Sequence, residues 1–371
     1  MHRPAAALLV LLVALAAAAC THAGDEPGQA QEQQEPGATA PAPEVDVTRI
    51  PGAATALDFA EFLDQGLDRW REELPRVEDV RIESSADGHE QPALWLPPAG
   101  DEPAPLLVVL HSWTTDYTQH QSIPFGLWAE AEGWAMVAPN FRGPFEGPEA
   151  MGSDLAVQDV VDAIDWAAGR GGIDEERVFA VGFSGGGMMS LLMAGRHPDR
   201  FRGVASFVPV YDLVDFYEYN RDVRDDGPPY VEQIEAACGG DPTVDDEARE
   251  ECLRRSPLGH VEGTRDAGIP VYLGHGLRDE IERPSASLRA FNALADEGDR
   301  VPDDVVRAVW EMRLPGELRG SVEAETHFAD EDPEVLFARS SGPVTVVLFE
   351  GEHDLVYHPP LEWMARLAAA P

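Results

Sequence analysis

The segment that decides the fold is residues 178–189, which reads VFAVGFSGGGMM. A short apolar run leads in, a helix-favouring run leads out, and between them lies the G-x-S-x-G pattern Gly182-Phe183-Ser184-Gly185-Gly186. Such a pattern at a sharp strand-to-helix turn holds its serine in a strained, exposed conformation, and the glycines avoid clashes with neighbouring backbone. The segment therefore predicts that Ser184 is a nucleophile.

The other interpretations of this segment to be weighed are a plain glycine-rich turn and a phosphate-binding loop. No Gly-Lys-Ser or Gly-Lys-Thr follows the glycines, which excludes a P-loop.

Apolar runs alternate with helical patterns on both sides of this segment, and this alternation predicts an α/β fold. Continuous apolar runs, typical of strands buried on both faces, occur at residues 106–110, 134–138, 178–181, 204–210, 271–273 and 344–349. Amphipathic helical patterns occur at residues 155–168 and 285–295. We expect a mostly parallel central sheet with helices on both faces, preceded by a helix near residues 59–74 and a hairpin turning at Asp87-Gly88.

A serine hydroxyl needs a base, and the base needs an acid to fix its tautomer. Asp279 follows the run at 271–273, and His353 follows the run at 344–349. Both therefore lie past the carboxyl ends of predicted strands, in the chain order serine, acid, histidine. The sequence predicts the triad Ser184, Asp279 and His353. Alternative acids are Glu280 and Asp354, and alternative bases are His327 and His358. We expect structural roles for His111 and His275.

An oxyanion hole requires two backbone N–H donors beside the nucleophile. The residue after the serine, Gly185, is the first candidate. The loop after residues 106–110, which begins His111-Ser112-Trp113, supplies the second. We assign the second donor to Trp113, with Ser112 as the alternative.

Charge excludes two classes of partner. The 371 residues include 68 Asp and Glu against 27 Lys and Arg, with no lysine, for a net charge of −41. Such a surface repels phosphate backbones and anionic lipid, so we expect no nucleic-acid partner and no electrostatic membrane docking. Hydrophobic residues make up 44% of the chain, which also excludes a disordered chain.

The N-terminal residues predict export. Residues 1–19 combine Arg3 with a long apolar run, typical of a secretory signal peptide. Small residues before Cys20 resemble a bacterial lipoprotein signal, so we expect either lipidation of Cys20 at the cell envelope or simple secretion. Residues 20–55 are rich in Pro, Gln and Glu and predict a disordered tether, followed by the folded domain at 56–371.

Two inserts interrupt the alternation, at about residues 212–268 and 300–342. The first contains Cys238 and Cys252, which in an oxidising compartment can close a disulfide; two buried thiols are the alternative. It also contains an aromatic group that either lines a substrate pocket or packs a small cap: Tyr211, Phe216, Tyr217, Tyr219 and Tyr230. The second insert is polar, and we expect it to be irregular and to lie beside the site mouth.

From about residue 77 onward, the chain resembles an α/β-hydrolase, in particular the catalytic domain of the prolyl oligopeptidase family. Further marks of the resemblance are Pro139-Asn140-Phe141-Arg142-Gly143, Asp154 and Asp159, Ser256-Pro257, and His275-Gly276-x-x-Asp279. The resemblance implies the triad above, an eight-stranded parallel sheet and no metal, and we expect no cofactor.

The resemblance favours a serine peptidase acting on peptides through an acyl-enzyme. We expect no β-propeller before residue 77, which keeps open a carboxylesterase acting on small or polysaccharide-linked esters. A catalytically silent binding module is the alternative of another class. The oligomeric state is left open.

Overall fold

The computed structural model describes residues 53–55, 64–222 and 229–370. The strands are β1 (Ala53–Thr55), β2 (Glu78–Glu83), β3 (Glu90–Leu96), β4 (Ala104–Leu110), β5 (Ala135–Pro139), β6 (Ile173–Phe183), β7 (Gly203–Phe207), β8 (Val271–Gly276), β9 (Ser321–Val322), β10 (Val335–Ser341), β11 (Val344–Phe349) and β12 (Asp354–Val356). The α-helices are α1 (Leu67–Glu73), α2 (Ile123–Ala131), α3 (Asp154–Gly169), α4 (Gly185–Arg196), α5 (Leu213–Asp222), α6 (Tyr230–Cys238), α7 (Asp246–Arg255), α8 (Val261–Ala267), α9 (Ser285–Leu294), α10 (Asp303–Trp310) and α11 (His358–Ala369).

The main sheet has ten strands in the order β2-β3-β5-β4-β6-β7-β8-β11-β10-β9. Strand β3 runs antiparallel to both β2 and β5, whereas β5, β4, β6, β7, β8 and β11 form a continuous parallel run. This arrangement confirms the predicted α/β class with a mostly parallel central sheet.

Both faces of the sheet are buried, because alternate residues of each central strand contribute to different cores. Leu106 and Val108 of β4 belong to one hydrophobic cluster, together with apolar residues of α3, α4 and α9. Leu107 and Val109 belong to a second cluster, together with apolar residues of α2 and α11. Helices on both faces therefore cover the continuous apolar runs that predicted these strands.

The second insert differs from the prediction, since it is partly regular. It contains α10, β9 and β10. Strand β10 pairs antiparallel with β11, and β9 pairs parallel with β10. These two strands extend the eight-stranded sheet that the resemblance implied to ten. Strand β10 was not predicted because Arg339, Ser340 and Ser341 give its second half a polar sequence.

One prediction near the N-terminus, the C-terminal end of the tether, needs correction. The other predictions there lie largely outside the described residues. The last three residues of the predicted tether form β1, which pairs antiparallel with β12. The signal peptide, Cys20 and the rest of the tether lie outside the described residues, as do Phe59, Phe62 and Leu63 of the predicted first helix. Among the residues that the structure describes, no helix is both long and apolar enough to cross a membrane.

Candidate active site

Ser184 lies at the turn between β6 and α4, and its backbone is in a sparsely populated conformation. Its φ is 54° and its ψ is −116°. A non-glycine residue in this region costs on the order of 1–3 kcal/mol, and such strain concentrates at functional sites. The Ser184 N–H donates to the Phe207 carbonyl at 2.9 Å, which fixes the turn against β7. The side chain is nearly covered, with 7% of the residue exposed.

The two outer glycines of the motif are required by close backbone approach. A Cβ atom at Gly182 would lie 2.0 Å from the Gly186 carbonyl oxygen, and one at Gly186 would lie 2.1 Å from the Leu110 carbonyl oxygen. Neither backbone atom can move without displacing a strand or the first turn of α4. The G-x-S-x-G spacing is therefore a packing requirement of this sharp turn.

The histidine and the acid of the predicted triad meet directly. His353 Nδ1 lies 2.7 Å from Asp279 Oδ2, and the pair is buried. The His353 ring also packs edge-on against the ring of Phe183, the residue before the serine, with centroids 4.9 Å apart. Because β6, β8 and β11 lie in the parallel part of the sheet, the loops that follow them gather Ser184, Asp279 and His353 at one sheet edge.

Asp279 is fully buried, and its carboxylate contacts two backbone N–H groups and the rings of His275 and His353. Its Oδ1 accepts the backbone N–H groups of Ile281 and Glu282 at 2.8 and 3.0 Å. Burial raises the pKa of Asp279, but the nearby charge of His353 and the hydrogen bonds from His275 and His353 outweigh it and hold the pKa well below its ordinary value. Asp279 is therefore ionised at neutral pH and can orient His353 and stabilise its charged form.

His275 contacts the acid, although the sequence indicated only a structural role. Its Nε2 lies 3.2 Å from Asp279 Oδ2 and 3.1 Å from the Glu282 carbonyl oxygen. Its Nδ1 lies 2.8 Å from Ser287 Oγ. The spacing of four residues between His275 and Asp279 could have indicated this contact, but only with knowledge of how the chain turns after β8.

The backbone segments that carry the two candidate oxyanion donors lie close together. A Cβ atom added to Gly185 would lie 2.7 Å from the Trp113 nitrogen and 2.9 Å from its Cα, so the two backbone segments are in contact. Gly185 is also the first residue of α4, whose N-terminus favours negative charge. The geometry can place two N–H groups on one developing oxyanion.

The alternative donor, Ser112, is already engaged. Its N–H donates to Gln119 Oε1 at 2.9 Å. The same oxygen accepts from Thr115 Oγ1 at 2.6 Å and from Gln121 Nε2 at 2.8 Å. Gln119 thus fixes the loop after β4, and sequence reasoning did not identify it. This occupancy favours Trp113 over Ser112.

The first insert contains the helices α5, α6, α7 and α8, which together are called the cap. A disulfide between Cys238 and Cys252 ties α6 to α7. Phe216 and Tyr230 pack on the Trp113 ring, with centroids 5.5 and 5.3 Å away. The aromatic residues of the insert are buried. They pack the cap, and two of them also border the loop that holds the candidate oxyanion donor.

The alternative acids and bases lie in other settings. Glu280 is exposed, and Asp354 Oδ2 accepts the backbone N–H of Glu352 at 2.8 Å. His358 Nδ1 lies 2.8 Å from Asp332, and the His327 ring faces Tyr272. His111 spans the Ser112 and Asn140 carbonyl oxygens and stacks on Phe141.

Comparisons with known proteins agree with this architecture. Residues 127–306 match the model of the prolyl oligopeptidase family. The chain is 25% identical over 217 residues to acylamino-acid-releasing enzyme 2 of Oryza sativa subsp. japonica, covering 54% of this chain and 27% of that protein. It is 34% identical over 119 residues to "Putative esterase NocK" of Nocardia uniformis subsp. tsuyamanensis, covering 29% of this chain and 34% of that protein.

Among solved structures, the fold is similar to that of a "putative dipeptidyl aminopeptidase IV" of Bacteroides ovatus, with a TM-score of 0.51 and 13% identity. That match covers 78% of this chain and 34% of the other. The chain thus spans about a third or less of the length of the relatives it matches. The chain has the fold of an α/β-hydrolase, and its residues 127–306 are similar to the prolyl oligopeptidase family.

Proposed function

We propose that this protein hydrolyses an amide or ester bond through an acyl-enzyme on Ser184. His353 takes the hydroxyl proton as Ser184 Oγ attacks the substrate carbonyl, and later gives that proton to the leaving group. Asp279 holds the His353 ring in the required tautomer. The N–H groups of Gly185 and Trp113 stabilise the oxyanion of the tetrahedral intermediate. Water then attacks the acyl-enzyme and releases the acid.

The observation that carries the proposal is the 2.7 Å contact between His353 Nδ1 and a buried, multiply hydrogen-bonded Asp279. A strained serine at a strand end occurs in other folds, and a histidine–aspartate pair alone is common. Their arrangement around one elbow, in the chain order expected for this fold, favours acyl transfer.

We propose peptides as the substrate class. The family match supports this choice, as does the similarity to an acylamino-acid-releasing enzyme. A second candidate is ester hydrolysis, which the match to an esterase-named relative favours. The same triad performs both reactions, so the choice depends on the leaving group that the site accepts.

We also propose that the protein is exported and tethered through a lipid on Cys20, with secretion as the alternative. The support is the apolar run at residues 5–19, the cysteine that follows it and the Pro-rich segment after that. A disulfide between Cys238 and Cys252 agrees with an oxidising compartment.

The experiment compares wild type with Ser184→Ala on short acyl p-nitrophenyl esters and on peptide amides, with Ser340→Ala as the exposed-serine control. We expect Ser184→Ala to lose hydrolysis by on the order of 10⁴-fold or more, while the control is unchanged. Faster turnover of the peptide amides than of the esters, judged by kcat/KM, supports the peptidase. Full activity of Ser184→Ala would contradict the mechanism, and inactivity of the folded wild type on every substrate would favour a binding module.

A further inference from the structure

The Trp113 side chain is anchored by the cap. Its indole Nε1–H donates to Gln233 Oε1 at 2.8 Å, across 120 positions of the sequence. Gln233 lies on α6, the helix that the disulfide ties to α7. Trp113 itself is buried, with 2% of the residue exposed. A cap helix therefore holds the same residue whose backbone nitrogen lies beside Gly185 of the nucleophile elbow.

The hydrogen bond from the indole N–H to Gln233 is the polar contact described between Trp113 and the cap. The other contacts of Trp113 are a backbone hydrogen bond and ring packing. Its carbonyl accepts the Phe145 N–H at 2.8 Å, and the preceding N–H, that of Ser112, is held by Gln119. Three rings surround the indole at centroid distances of 5.1 to 5.5 Å: Phe145, Phe216 and Tyr230. Ring packing limits where the indole can lie, but it supplies no acceptor of comparable strength for a buried N–H.

We propose that Gln233 is a positioning residue that holds the oxyanion donor Trp113 in place from the cap. The proposal rests on the proposed function, because it assigns Gln233 a role only through the oxyanion hole. Gln233 is assigned no contact with the nucleophile or the base. It acts through the indole, which fixes the Trp113 backbone and thereby the direction of the Trp113 N–H.

The proposed role follows from the free-energy cost of burying a hydrogen-bond donor that has no acceptor. Without the Gln233 oxygen, the Trp113 indole N–H would be buried without an acceptor. The ring would then shift to reach another acceptor or water, and it would carry the backbone with it. Oxyanion donors must lie about 2.7–3.1 Å from the developing oxyanion, and small displacements from that position lower the rate strongly.

The test uses Gln233→Leu, which removes the acceptor, and Gln233→Glu, which keeps an oxygen at the same reach. Glu232→Gln on the exposed face of the same helix is the control. Trp113→Phe removes the donor and keeps the backbone N–H. The readouts are kcat and KM on one ester substrate, with competent sites counted by fluorophosphonate titration, and thermal unfolding of each variant.

We expect Gln233→Leu to lower kcat per competent site by about tenfold with KM within about twofold. Gln233→Glu restores kcat to within about twofold of wild type, and the control is unchanged. Because both residues act through one hydrogen bond, Gln233→Leu has no further effect on kcat in the Trp113→Phe background.

Three results overturn the proposal: an unchanged kcat in Gln233→Leu, a change confined to KM, or additive losses in the double variant. If Gln233→Leu fails to fold, Trp113→Phe alone decides, since full kcat in that variant contradicts the coupling. A failure of the proposed function looks different, because Ser184→Ala would then keep the activity of wild type.

Discussion

The site has two halves, and they are held by different kinds of contact. The triad half contains Asp279 and His353, and the oxyanion half contains Trp113. In the triad half, each residue follows a parallel strand, and backbone N–H groups fix the Asp279 carboxylate. In the oxyanion half, side chains supply the contacts. The Gln119 amide oxygen accepts the N–H of the loop after β4, and the cap accepts the Trp113 indole N–H.

The difference teaches that strand ends and the His275 side chain hold the proposed His353–Asp279 pair, whereas the proposed oxyanion donor Trp113 is held by a side chain of the cap. Changes to α6 should therefore act on the oxyanion half, whereas α5 also reaches the loop of Asp279, because the Tyr219 hydroxyl donates to the Glu280 carbonyl. Changes at the strand ends should act on proton transfer whether or not the cap is intact.

The largest effect is expected for Asp279→Asn, which removes the charge that orients His353. We expect kcat to fall by about 10⁴-fold, because the neutral amide stabilises the wrong tautomer of the histidine. Steady-state kinetics on an activated ester measures it. Glu280→Gln is the matched control, since that neighbour is exposed. A large loss in the control with little loss in Asp279→Asn would make Glu280 the acid.

The next effect is expected for Gly185→Ala, which breaks the oxyanion half alone. The added methyl group would lie 2.7 Å from the Trp113 nitrogen, so it pushes the two donors apart. We expect kcat to fall by about 10²- to 10³-fold, the loss seen when one oxyanion donor is removed. Gly298→Ala, where the methyl group meets open space, is the control. Unchanged kcat in Gly185→Ala would contradict the assignment of the hole.

The smallest effect on chemistry and the clearest effect on stability are expected from removing the disulfide. The bond closes a loop of sequence separation 14, so Cys238→Ser with Cys252→Ser should lower the free energy of unfolding by about 3 kcal/mol. Urea titration measures this loss. Reduced wild type should match the variant, and reductant should not change the variant further. Equal stability of oxidised wild type and variant would show that the bond does not stabilise the cap.

Prediction from the sequence succeeded where the determinants are local. A continuous apolar run such as residues 344–349 identifies a buried strand, and the strand ends then locate Asp279 and His353. Strand β10 was not predicted because its second half has a polar sequence. The Gln233–Trp113 bond joins residues 120 positions apart, and no periodicity or motif signals such a contact. The pairing of His275 with Asp279 depends on a turn that the sequence does not specify.

The most direct test of the central claim is to locate the covalent adduct of a fluorophosphonate by peptide mass spectrometry. We predict a single phosphonylated residue, Ser184, with labelling abolished in Ser184→Ala and slowed strongly in Asp279→Asn. Such an outcome would establish a nucleophile activated by the His353–Asp279 pair. Labelling of another serine in the folded protein, or equal labelling rates in wild type and Asp279→Asn, would contradict it.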